Sequence, residues 1–75
     1  MLFRQLQYLT ALAKEEHFGR AAARCNVSQP SLSTAVKQLE LTFGVPIVLR
    51  GRRFLGFTNE GQRIIKWADR ITSQR

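Results

Sequence analysis

Five residues, Asn26, Val27, Ser28, Gln29 and Pro30, separate two helix-forming stretches and confine the change of direction between them to a tight turn. On the N-terminal side Gly19 opens "RAAARC", a short run of good helix propensity. Its Ala21, Ala22 and Ala23 are small enough to let another helix cross at short distance. Asn26 suits the left-handed residue that often ends a helix, and Val27 is expected to pack inward. Ser28 is a natural N-cap for the next helix, whose first turn tolerates Pro30 because it has no internal N–H bond to lose. At ~100° per residue, Leu32, Ala35, Val36, Leu39 and Phe43 share one face of that helix, and Gly44 with Pro46 stops it. The opposite face carries Pro30, Ser33, Thr34 and Lys37, polar and small side chains that packing does not explain. Leu41 falls there too, with no role beyond a contact near the helix end.

The flanking segments supply the rest of the fold. From Leu2 to about Ala13, Leu2, Phe3, Leu6, Leu9, Leu12 and Ala13 recur at helical spacing, and "KEEHFG" breaks the pattern. "VPIVLRGRRFLGF" has two short apolar runs, Ile47 to Leu49 and Phe54 to Phe57, around Arg50, Gly51, Arg52 and Arg53. That pattern predicts a β-hairpin with a basic tip. Thr58 caps a last helix, with Glu60 near its positive dipole end. Gly61 occupies the position where a full capping box needs Glu or Gln. The last helix carries Ile64, Ile65, Trp67, Ala68 and Ile71, more apolar surface than one small domain need hide, and Ser73 to Arg75 are expected to fray.

Seventy-five residues build one core, and a hydrophobic fraction of 44% argues against disorder. Twelve Lys and Arg against five Asp and Glu give a net charge of +7, and nine of the twelve are arginine, whose planar fork suits phosphate. So much self-repulsion in a small domain implies a polyanionic partner, nucleic acid first and an anionic membrane second. No apolar stretch reaches the ~20 residues of a membrane span, and the first residues lack the pattern of a signal peptide. Cys25 is the single cysteine and fits a reducing compartment, so a cytoplasmic location is expected.

Helix, short helix, tight turn, helix and basic hairpin make the order of a winged helix-turn-helix. In such motifs the second helix of the pair enters the major groove, its N-terminal residues reaching base edges. Gln29 there can form bidentate bonds to an adenine edge, and small neighbours allow close approach of the backbone. At these residues the chain resembles a known family. "AAARCNVSQPSLSTAVKQLE", followed by "FGVPIVLRGRR" and "FTNEG", is similar to the N-terminal DNA-binding domain of LysR-type transcriptional regulators, over essentially residues 2 to 72.

The resemblance implies a bacterial repressor or activator that binds an interrupted palindrome as a dimer or tetramer. Carried to matching positions, it implies that Ser28, Gln29, Pro30, Ser31, Ser33, Thr34 and Lys37 serve the major groove and Arg50, Arg52 and Arg53 the wing. It also implies that the last helix is a linker pairing with a second subunit through Ile64, Ala68 and Ile71. A small-molecule effector would bind a further C-terminal domain that this chain lacks, leaving none of its own cofactors to this one. Three positions depart from the family pattern: Thr34 where arginine is common, "IVLR" where leucine, phenylalanine and an acid usually precede the wing arginine, and Cys25 where leucine is typical.

Blander readings compete at each site. Gln29, Ser33 and Thr34 would make an ordinary solvated helix face, and an arginine-rich hairpin tip also keeps an exposed edge from pairing. Cys25 and His17 lack the third orienting group of a catalytic set and fall short of the four ligands of a structural zinc site. Trp67 is a packing anchor before it is a stacking platform for bases. Arg63, Lys66 and Arg70 read as a solvated face. The expectation is a mainly α chain: a winged helix-turn-helix over residues 1–58 and a linker helix over 59–75. Within it the helix-turn-helix spans about 18–37, the recognition helix about 28–43 and the wing about 47–57. Its expected partners are double-stranded DNA and a second copy of itself, without membrane and without enzymatic activity. The other classes are a winged helix that binds protein and a basic amphipathic segment on anionic lipid.

Overall fold

The computed structural model describes residues 2–49, 51 and 53–73. Arg50 and Arg52, two of the three wing arginines, lie outside the described residues. Four helices follow in order: α1 (Leu2–Glu15), α2 (Phe18–Arg24), α3 (Gln29–Phe43) and α4 (Asn59–Thr72). Leu6, Leu9 and Leu12 put one stripe of α1 into the centre, where Ala21 and Ala22 of α2 and Leu32, Val36 and Leu39 of α3 meet it. Ala21 and Ala22 act as expected, since both are almost wholly buried and bring α2 close to its neighbours, whereas Ala23 is exposed and takes no part in that crossing.

The turn between α2 and α3 closes as its residues dictate. Asn26 has φ 60°, and the Val27 amide donates to the Ala22 carbonyl at 3.0 Å. Ser28 then caps α3, its Oγ accepting from the Ser31 amide at 3.2 Å, with Pro30 in the first turn. At the far end Gly44, at φ 72°, is the left-handed stop, and its amide donates to the Glu40 carbonyl at 2.8 Å. Two boundaries differ from the sequence reading. The first helix runs two residues further, to Glu15, and the second begins at Phe18 because the His17 side chain caps it, Nδ1 accepting from the Arg20 amide at 3.0 Å.

The hairpin is reduced among the described residues to one antiparallel bridge, Val48 with Phe57. Leu49 donates to the Gly56 carbonyl at 3.0 Å and Thr58 to the Ile47 carbonyl at 2.9 Å, so both arms are in register without forming strands. Side chains replace the missing ladder: Phe54 stands edge-on to Phe18 at 6.1 Å and to Phe57 at 5.0 Å. Ile47 and Val48 are themselves core residues.

Thr58 caps α4 as expected, accepting from the Gly61 amide at 2.9 Å. A Cβ on Gly61 would collide with the Ile47 carbonyl oxygen, which explains why no capping-box side chain stands there. Ala68 is fully buried in the same core as α1, and the partly buried Ile64 and Ile65 pack against it, so α4 is docked on this domain.

Candidate nucleic-acid interface

The polar residues of α3 occupy two flanks of one exposed ridge. Gln29, Ser33 and Lys37, spaced one helical turn apart, border a groove whose floor is Phe18, Val36 and Val48 and whose far wall includes Leu49, Gly51 and Arg53. Pro30, Ser31 and Thr34 border a second groove on the α1 side, together with Arg4, Gln5 and Gln38. Gln29 and Lys37 are exposed and Ser33 is half-buried, so a ligand in the first groove meets side chains rather than backbone. Ser28 is committed to its cap, its Oγ also donating to Ser31 Oγ at 2.9 Å.

Arg53 stands on the wing side of Gln29, and both also line the hollow beside Glu16, His17 and Gly19. Glycine keeps this approach open: a Cβ at Gly19 would lie 3.0 Å from His17 Cε1 and 3.5 Å from Gln29 Oε1. Other cations are drawn elsewhere, since Glu15 pairs with Arg24 at 2.9 Å and with Arg20 at 3.6 Å. Among the described residues, the exposed cations lining the two α3 grooves are Arg4, Lys37 and Arg53.

Two features escaped the sequence reading. Arg4 lies off the apolar stripe of α1, and the crossing of α1 and α3 brings it beside Thr34, a neighbour that helical periodicity within one segment does not reveal. Glu40, one residue after Leu39, is buried at 8% exposure, and its Oε2 accepts from the amides of Ile47 at 2.7 Å and Val48 at 3.2 Å. These two amides of the hairpin root help to offset the cost of burying a carboxylate there.

The dimerisation set divides. Ile64 and Ile71 are half-buried, whereas Ala68 faces inward with none of its surface exposed, so it offers nothing to a second subunit. Its place on the outward stripe is taken by Trp67, 43% exposed and edge-on to Phe43 at 5.9 Å. Cys25 is the half-buried C-cap of α2, and burial pushes its thiol up against a smaller opposing pull from Arg24, which favours the neutral thiol.

The profile of bacterial regulatory helix-turn-helix proteins of the lysR family matches residues 3–62. The chain belongs to the LysR family. It is 48% identical over 62 residues to the HTH-type transcriptional regulator AlsR of Bacillus subtilis, covering 83% of this chain and 20% of AlsR. It is 44% identical over 68 residues to the DNA-binding transcriptional dual regulator OxyR of Escherichia coli, covering 91% of this chain and 22% of OxyR. The chain thus spans about a fifth of the length of these curated relatives. Among solved structures, the complex of the CbnR DBD with DNA superposes with a TM-score of 0.88 at 37% identity, over 95% of this chain and 82% of that one. A full-length OxyR variant of Pseudomonas aeruginosa superposes with a TM-score of 0.87 at 45% identity, over 92% of this chain and 24% of that one. These LysR-family structures share the winged helix-turn-helix fold described here.

Proposed function

We propose that this chain is a sequence-specific double-stranded DNA-binding domain of a bacterial transcription regulator. In this reading α3 lies in the major groove, which is wide enough for one helix, while the wing rests on the adjacent backbone or minor groove. The observation that carries the reading is the alignment of Gln29, Ser33 and Lys37 along one exposed edge of α3, facing Arg53 across a groove. Gln29 reads a base edge, Lys37 and Arg53 neutralise phosphate, and Arg4 extends the charged track on the α1 side. The net charge of +7 supplies the attraction, and the AlsR and OxyR relatives carry regulator names.

Self-association through α4 belongs to the same proposal, with Ile64, Trp67 and Ile71 as the seam, and a two-fold protein matches a palindromic site. Tetramers and binding of a small-molecule effector are assigned to a longer protein. The domain itself is proposed to act without a cofactor, without catalysis and in the cytoplasm. No described helix is long and apolar enough to cross a membrane.

Gln29→Ala tests the reading at its centre. It is expected to cost about 1–3 kcal/mol on the cognate site and to relax discrimination at one base position. An equal loss on scrambled DNA would remove Gln29 from base readout.

A further inference from the structure

The peptide Pro46 to Val48 is held from two sides. From α3, Glu40 Oε2 accepts from the amides of Ile47 at 2.7 Å and Val48 at 3.2 Å. From the start of α4, Thr58 Oγ1 donates to the Pro46 carbonyl at 2.6 Å, and the Thr58 amide donates to the Ile47 carbonyl at 2.9 Å. Gly61 leaves the Ile47 backbone no room to slide toward α4. Val48 is also where the two arms of the wing bridge, so this peptide is the root from which the arm leading to Arg53 departs.

Glu40 follows Lys37 by three residues, so one turn of α3 carries both a groove-facing cation and the carboxylate that grips the wing root. A buried carboxylate is costly unless it is hydrogen-bonded, and apolar side chains often pack as well or better. What it adds is a directional, charge-assisted link between two elements that otherwise meet through apolar contacts.

We propose that Glu40 is a positioning residue of the DNA interface, fixing the wing root to α3 so that Arg53 keeps one spacing from Gln29 and Lys37. This rests on the DNA-binding reading above. The bonds from the Ile47 and Val48 amides both end on Oε2, so a glutamine carbonyl oxygen can accept them in the carboxylate's place, whereas alanine leaves two buried amides without this acceptor.

The test is a double-mutant cycle on DNA binding by the whole chain, under conditions where circular dichroism shows every variant folded. Glu40→Ala is expected to lose about tenfold in affinity for the preferred duplex, the size of one lost groove contact. In an Arg53→Ala background the same change should cost no more than about twofold, because the contact it positions is already gone. Glu40→Gln should recover most of the loss. If Glu40→Ala does not fold, Glu40→Met, which fills the site without an acceptor for the two amides, is measured instead, with amide hydrogen exchange at Ile47 and Val48. Faster exchange there than in α1, with a binding loss that vanishes in the Arg53→Ala background, supports the proposal. Unchanged affinity, or losses that simply multiply with that of Arg53→Ala, overturn it. A wild-type chain that shows no preference among duplexes overturns the DNA-binding reading itself, a result distinct from the failure of Glu40 alone.

Discussion

Glu16 and Asn26 both hold left-handed backbone, at φ 53° and 60°, one after each of the first two helices. Asn26 is a residue type that visits this region readily, and its place at the end of the alanine run announces the turn. Glu16 gives no such warning, because a β-carbon there is strained and the residue usually belongs inside a helix. The chain accepts it because the amide of Glu16 donates to the Leu12 carbonyl at 2.7 Å and His17 must then turn outward to cap α2. Glu16→Gly is accordingly expected to raise stability by about 0.5–1 kcal/mol, read from denaturant unfolding. A loss of stability would mean that the exposed Glu16 side chain contributes more than its backbone costs. Glu40 is the residue whose importance periodicity hid most completely. It borders the apolar stripe of α3, and its partners are backbone amides seven and eight residues on, which no side-chain pattern displays.

Among the elements, the helices were the legible part, because their apolar stripes, Ser28 and Thr58 caps and Gly44 stop are local signals that the fold then obeys. The wing was legible as a place but not as a structure. Two apolar runs around basic residues suggested paired strands, and the fold instead binds those runs by one bridge, an aromatic chain and the grip of Glu40. Phe54 and Phe57 spend their side chains on Phe18 and on each other, which anchors the wing to α2 rather than to a partner strand. The polar set proposed to read bases stands out on α3 in the sequence, yet its division into a wing-side and an α1-side flank needed the crossing of helices that sequence does not encode locally. If the wing acts through phosphate, Arg53→Ala should weaken binding to every duplex alike and lower the salt slope by about one. An unchanged slope would remove Arg53 from the phosphate contacts.

At the scale of the whole molecule, two faces of the domain differ in character. One presents the α3 ridge, Arg4 and Arg53, and the other is the outer side of α4, where Ala68 turns inward to the core and Trp67 is left half in solvent. Of the three residues that the family resemblance implies for a seam, Ala68 is the small one that stands where the helix enters the core, and the large Trp67 beside it remains available outside. Trp67→Glu is therefore expected to shift the chain toward monomer in a sedimentation dilution series while the helical circular dichroism signal persists. Dimers of unchanged stability would place the seam elsewhere. The central claim is that the α3 ridge reads sequence and that charge alone does not account for binding. Fluorescence anisotropy of a labelled duplex carrying an interrupted palindrome of the LysR type, against a scrambled duplex at several salt concentrations, tests it most directly. The account predicts tighter binding to the palindrome, with the preference persisting as salt rises and phosphate attraction fades. Equal and steeply salt-dependent binding to both duplexes would contradict it.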